Sequence, residues 1–183
     1  MGMLEMLDKL AELILYIADK SQDDPAFGAT KLNKILFLID FNAYGAWGKS
    51  VSSAKYEHQN YGPVPSQLVN IRAKLISDGR AIIQKREYFG NTQDRIVAID
   101  QPDISEFSDI ERKLIDDAID HVKHFNATEL SDWTHKLLPW MVTENSEDIP
   151  YYAIFAFQKT PVSRAGLEWA QSQLKELRSR DAN

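Results

Sequence analysis

The 183 residues contain no cysteine, which excludes a disulfide frame, a thiol nucleophile and any zinc site built on thiolates. No apolar run approaches the roughly 20 residues that a helix needs to span a bilayer. The opening stretch MGMLEMLDKLAEL is acidic and amphipathic and lacks the basic region and small-residue cleavage site of a secretory signal. Met6 stands where a myristoylation motif needs Ser or Thr. These absences predict a cytoplasmic protein with no membrane partner. Missing too are a Walker loop, GxGxxG, HExxH and the GxSxG elbow of a serine hydrolase. A net charge of −6 argues against nucleic acid as the default partner, because phosphate binding needs a basic footprint.

What is present has globular proportions, with 44% hydrophobic and 26% charged residues. A chain of this length suits one body that buries about two-thirds of its unfolded surface. Its charge is unevenly spread. Pro25 to Tyr88 holds nine Lys/Arg against four Asp/Glu, while residues 1–24 carry −4 and 89–183 carry −7. The middle of the chain is therefore its basic part, suited to an acidic partner or packed between acidic flanks.

Leu7, Leu10, Ile14 and Ile17, supported by Leu13, recur at helical spacing with Glu5, Asp8, Lys9 and Glu12 opposite, so residues 4–20 read as an amphipathic helix. Thr30 is a candidate cap for a second helix, in which Leu32, Ile35, Leu36 and Ile39 form one face and Phe37, Leu38 and Phe41 another. Such a helix is buried on most sides. Lys31, Asn33, Lys34 and Asp40 are its polar exceptions and predict one narrow exposed edge. Gly45 and Gly48 then punctuate the chain around Trp47. Val51 to Gln59 reads weakly as a strand and leads to Tyr61-Gly62-Pro63-Val64-Pro65, a corner stiffened by two prolines. Ser66 can cap a helix to Asp78, with Leu68, Ile71 and Leu75 inward and Gly79 at its C-terminal stop. Residues 80–88 and 93–99 read as a hairpin, and with the weak strand they could complete a three-stranded sheet. Ser108 with Glu111, and Asn126 with Glu129, are capping boxes for two further helices. The buried side of the first of these is Leu114, Ala118, Val122 and Phe125. Residues 150–158 incline to helix, with Pro150 at the first position. Thr160 starts a last helix with Leu167, Ala170, Leu174 and Leu177 on one stripe. The fold class is thus α+β, mainly helical, with a small wing-like antiparallel sheet and a C-terminal helix. Residues 1–141 form the main domain and 142–183 a helical extension packed on the same body.

Few residues suggest chemistry. Asp117 with His121 and Asp120 with His124 are i,i+4 pairs suited to a metal or to proton transfer, and equally to a solvated helix end. Ser131, Asp132 and His135 name the members of a hydrolase triad without its elbow or oxyanion hole. The wing offers a DNA-binding alternative: a winged-helix regulator with Gln67, Asn70, Arg72 and Lys74 on the recognition helix and Arg80, Lys85 and Arg86 on the hairpin. Tyr44, Trp47, Tyr61, Trp133 and Trp140 lie near element ends, where aromatics either cap a core or anchor a partner.

Three segments carry a resemblance. Lys31-Leu32-Asn33-Lys34-Ile35-Leu36-Phe37 is similar to a Lys-Leu-x-Lys-Leu-Leu-Tyr helix start, and Tyr61-Gly62-Pro63-Val64-Pro65 to a Tyr-Gly-Pro-Val corner. Leu130-Ser131-Asp132-Trp133-Thr134-His135-Lys136 with Pro139-Trp140 is similar to Leu-Ser-x-x-Thr-His-x-x-x-x-Pro-Trp. In this order the chain resembles the Panacea domain of SocA-like antitoxins. It departs from that pattern at Phe37, where tyrosine is usual, at Ser52-Ser53, where Thr-Gly is frequent, and after Met141. The resemblance implies a bacterial or phage-encoded cytoplasmic antitoxin that neutralises a cognate protein toxin by direct binding. In some members the antitoxin delivers the toxin to a Clp-type protease. It implies no enzymatic activity, no cofactor, and no catalytic or metal-binding residue. The residues it marks for partner binding are Lys31, Lys34, Tyr61, Gly62, Pro63, Thr134, His135 and Trp140.

Overall fold

The computed structural model describes residues 3–156. Its centre is helix α2, Ala29–Trp47, on which eleven side chains are buried, Leu32 through Phe41 almost without interruption. A helix apolar on one stripe needs one neighbour, whereas one apolar all round needs a shell. Helix α1 (Met3–Lys20), helix α4 (Asp109–Val122), helix α5 (Ala127–Thr134), strand β2 (Gly62–Pro65) and the 3₁₀ turn Tyr151–Phe155 supply that shell. Of the predicted core face of α1, Leu10, Leu13, Ile14 and Ile17 are each at most 2% exposed, while the side chain of Leu7 lies outside those described. Burial on α1 also takes in Glu12, expected on the polar side. Its carboxylate accepts two hydrogen bonds from the Arg80 guanidinium, at 2.7 and 3.1 Å, and one from the Asp103 amide at 2.8 Å. Bidentate pairing offsets the desolvation that would otherwise keep Glu12 at the surface.

Helix α2 begins at Gly28 rather than Thr30 and runs through Gly45 to a left-handed C-cap at Gly48, φ 74°. Gly45 is therefore a helical residue and not a break. A Cβ there would lie 3.2 Å from Ile154, so its small size admits the 3₁₀ turn to the helix surface. Of the expected exposed edge of α2 only Asn33 is partly exposed: Lys31 and Lys34 are 1% exposed and Asp40 is 0% exposed. Each finds polar partners on segments that fold over the helix, so charge did not force them outward.

The sheet differs from expectation. Strand β1 (Tyr56–Gln59) pairs antiparallel with β2 in the register Tyr56↔Pro65 to Gln59↔Gly62, and on its other side with β5 (Asp148–Ile149). The hairpin of β3 (Ala81–Tyr88) and β4 (Asn91–Ala98) forms a separate two-stranded sheet. The Tyr61–Pro65 corner is itself a strand, which the alternation rule concealed because prolines read as breakers. Edge position explains their tolerance: β2 pairs only with β1, so a missing donor can face away from the ladder. Between β2 and β3, helix α3 (Leu68–Ser77) buries Leu68, Ile71 and Leu75 as predicted, and Gly79 follows at φ 73°. The β3–β4 hairpin is fastened by Arg95, 2% exposed, which donates to the carbonyls of Ser21, Gln22 and Asp24 at the end of α1.

Both predicted capping boxes form, Ser108 with Glu111 on α4 and Asn126 with Glu129 on α5. On α4 the buried positions are Ile115, Ala118, Ile119 and Val122, while Leu114 and Phe125 are partly covered. A short helix α6, Leu138–Met141, carries Pro139 near its start. Residues Tyr151–Phe155 are a 3₁₀ turn after Pro150 instead of a longer helix. The expected C-terminal helix from Thr160, with Leu167, Ala170, Leu174 and Leu177, lies outside the described residues.

Ser53 occupies the left-handed region at φ 59°, where the resemblance has glycine and where an L side chain is disfavoured. Ser53→Gly is expected to stabilise the fold by roughly 1 kcal/mol, raising the thermal midpoint by about 2–4 °C. An unchanged or lower midpoint in a circular-dichroism melt would show that the Ser53 conformation carries no such penalty.

Candidate functional site

Seven of the eight residues marked by the resemblance converge around the turn between β1 and β2. The Lys34 ammonium reaches across from α2 and donates to the carbonyl of Tyr61. The Ser131 hydroxyl, from α5, donates to the same oxygen at 3.4 Å. Directly beside this contact, Gly62 has φ 110°, and a Cβ on it would fall 1.3 Å from Lys34 Nζ. The glycine is thus needed twice, for its backbone angle and for the space the lysine fills. Pro63 pairs across the ladder with His58 and is buried. The effect is to hold Asn60 and Tyr61 outward. Tyr61 is 80% exposed although its own carbonyl is anchored inside.

The α5–α6 junction closes the other side. Thr134 is fully buried and its hydroxyl returns to the Ser131 carbonyl at 3.0 Å. His135 caps α5 through its amide, 2.9 Å from the same carbonyl. Its ring stacks on Trp140 with centroids 4.4 Å apart, and His58 stacks on the same indole at 3.3 Å. His58 Nδ1 also lies 3.0 Å from the Thr143 hydroxyl. Among the described residues, His135 Nε2 is buried without a hydrogen-bond partner. Burial lowers the pKa of both imidazoles, and the neighbouring Lys34 charge lowers that of His135 further. Both rings therefore favour the neutral form. His58 was not singled out from the sequence. The signal was strand alternation: residues 56 and 58 share a face, and Tyr56 is a core residue.

Lys31, the eighth residue, points elsewhere. Its ammonium pairs with Asp24 at 2.6 Å and donates to the carbonyls of Lys123 and Phe125, at 3.1 and 2.8 Å. Lys31 is in effect a cap for the C-terminal end of α4, where backbone carbonyls lack helical partners and positive charge is favoured. Asp40 belongs to a third polar centre. It accepts from the Ser52 amide and hydroxyl, at 2.8 and 2.5 Å, and from the Tyr56 hydroxyl at 2.7 Å. Burial raises its pKa, and that of Tyr56 likewise.

The residues weighed for chemistry do not assemble. Asp117 pairs with Lys113 at 2.8 Å, and the His121 ring lies against Phe125 and Trp133. Ser131 is engaged with the Tyr61 carbonyl. No group of three potential metal ligands occurs among the described residues. No helix among them is long and apolar enough to cross a membrane. Beside the junction an apolar cleft of about 460 Å³ opens between α2, α4 and α6, lined by Phe37, Phe41, Leu114, Trp133, Leu137 and Ile154.

Lys34 is the buried cation with the poorest compensation, having the Tyr61 carbonyl as its hydrogen-bond acceptor and no carboxylate in its salt-bridge range among the described residues. Burial lowers its pKa from 10.5 to about 7. The unfolded chain therefore binds more protons than the native one between about pH 7 and 10, and stability rises with pH across that window. Tyr16, Tyr56 and Tyr151, whose phenols are held protonated beyond their usual 10.0, oppose this only at higher pH. Urea titrations at pH 7 and pH 9.5 should give a higher midpoint at the alkaline pH for the native chain. Lys34→Met should flatten that difference, and a flat profile in the native chain would contradict the burial of a charged amine.

Among curated proteins and solved structures, none matches this chain. A family model, described as antitoxin SocA-like, Panacea domain, matches residues 32–141. The match runs from the start of α2 to the end of α6, well over half of the chain, and takes in Lys34, the Tyr61 turn and the α5–α6 junction. The chain belongs to the SocA-like antitoxin family, through its Panacea domain.

Proposed function

We propose that this protein neutralises a cognate protein toxin by direct contact, and that the Tyr61 turn together with His135 and Trp140 forms the contact surface. The observation that carries the reading is the combination at Tyr61: a large aromatic 80% exposed, on a backbone locked by Lys34, Gly62 and Pro63. Interfaces concentrate their energy in a few aromatic or arginine anchors, and a preorganised anchor loses little entropy on binding. His135 and Trp140 are half-buried and stand on the adjoining junction. Lys31, Lys34, Gly62, Pro63 and Thr134 are buried, so their part in binding is to position the surface rather than to touch the partner. Family membership supports the antitoxin role in the plain sense. Direct neutralisation, its place in the cytoplasm and the lack of any catalytic step are parts of the proposal.

Co-expression with the gene encoded beside it, if that gene arrests growth, is the test. The native chain should restore growth. Tyr61→Ala should lose that protection, with toxin affinity down about 30-fold and an unchanged melting temperature. A Tyr61→Ala variant that still protects would remove the turn from the interface, and failure of the native chain to protect would remove the neutralisation reading. Following toxin abundance in the same cells separates two routes. A constant level indicates blocking, and a fall that requires a Clp-type protease indicates delivery for degradation.

A further inference from the structure

The shell around α2 is open beside the α5–α6 junction. The cleft of about 460 Å³ lies there, walled by Phe37, Phe41, Leu114, Trp133, Leu137 and Ile154, with Asn42 and Asp117 exposed at its rim. All of these except Ile154 fall within residues 32–141, so the cleft belongs to the Panacea domain. Its rim groups are already engaged, Asp117 with Lys113 and the His121 ring against Trp133. An occupant is therefore held by apolar contact rather than by charge.

The described chain ends at Ala156, two residues beyond Ile154, so residues 157–183 leave from a turn that is itself a wall of the cleft. In that segment Leu167, Ala170, Leu174 and Leu177 stand at i, i+3, i+7 and i+10, with Glu168, Ser172, Lys175 and Glu176 on the other side of the predicted helix. A helix with one apolar stripe needs one neighbour to cover it. Anchors at this spacing are those that an amphipathic helix lays into an apolar groove. Eleven residues lead from Ala156 to Leu167, and an extended chain covers up to about 3.3 Å per residue, so the anchors reach every part of a cleft whose wall they leave from. A tethered segment also meets its site at an effective concentration on the order of millimolar, which a separate protein must outcompete. The groove on the opposite side of the 3₁₀ turn mixes Val142 and Tyr152 with Thr143, Glu147 and Asp148, and matches a leucine stripe less well.

We propose that the cleft between α2, α4 and α6 is the docking site of this chain's own C-terminal segment, with Leu167, Ala170, Leu174 and Leu177 as its anchors. The residues beyond the family match thereby complete the shell of the Panacea domain from within the same chain. This inference does not rest on the toxin-binding reading of the Tyr61 turn.

Paramagnetic NMR on the full chain tests it without any toxin. The chain has no cysteine, so one introduced cysteine carries a nitroxide label at a single place. Labels on Asn42→Cys and on Asp117→Cys, exposed positions on the α2 and α4 sides of the rim, should each broaden the methyl signals of Leu167, Ala170 and Leu174. A label on Tyr152→Cys, in the groove across the 3₁₀ turn, and one on Lys74→Cys, on α3, should broaden them less. In the unlabelled chain, Leu167→Asp with Leu174→Asp should shift the Trp133 indole N–H signal, and in the rim-labelled chain it should remove the broadening. The labels on the native segment decide the matter if that double variant fails to fold. No broadening from either rim label overturns the proposal, as does stronger broadening from Tyr152→Cys or an unmoved Trp133 signal. A mixture of spin-labelled and isotope-labelled chains covers the remaining case: broadening that passes between chains gives the cleft to the segment of a second copy and overturns docking within one chain.

Discussion

The structure depends on satisfying three ionisable side chains inside its most apolar helix. Lys31, Lys34 and Asp40 lie one to two turns apart on α2 and are buried with it. A buried charge without partners is severely destabilising, so each must find its acceptors or donors before the shell can close. Lys31 finds them at the end of α4, Lys34 at the Tyr61 carbonyl, and Asp40 in the Ser52–Tyr56 segment. The segment from Ser52 to Tyr61 and the end of α4, more than sixty residues apart, are thereby set on one helix, each in a single position. Apolar packing supplies the driving force for collapse, and these contacts select which collapsed arrangement persists.

This arrangement changes what the family-marked residues mean. A Lys-x-x-Lys pair in a basic segment reads as a surface for acidic partners, yet both ammonium groups serve backbone carbonyls in the interior. Gly62 matters because Lys34 occupies the space its side chain would take. Thr134 and Pro139 close a helix junction. The marked residues form a scaffold whose product is a stiff turn bearing Tyr61, with His135 and Trp140 alongside. The exposed basic charge of the middle segment is dispersed over Lys49, Lys55, Lys74, Lys85 and Arg86, away from the Tyr61 turn, whose exposed side chain is aromatic.

Much of the fold was legible in order. The periodicity of Leu10 to Ile17, the capping boxes at Ser108 and Asn126, and the stop at Gly79 all describe interactions within a few residues, and each is present. The failures share a cause. Glu12, Lys31, Lys34 and Asp40 were placed by polarity, but their partners are 7 to 94 residues distant or belong to other elements, as with Glu12 and Arg80 at a separation of 68. Strand pairing failed for the same reason: β1 joins β5 from the far end of the described chain, and local alternation contains nothing about that partner. The β2 strand was hidden by prolines that only an edge position makes acceptable.

By itself, then, the sequence determined a cysteine-free, mainly helical α+β domain with a central helix apolar on nearly every side, and the three motifs that identify its family. Those properties rest on composition, spacing and short-range capping, which a linear chain displays in full. Only the tertiary structure decided that the motif lysines face inward, that His58 joins His135 on Trp140, and that Tyr61 is left to the outside. Burial of a charge is settled by whether a distant carbonyl or carboxylate arrives to meet it, and that meeting is a property of the folded chain.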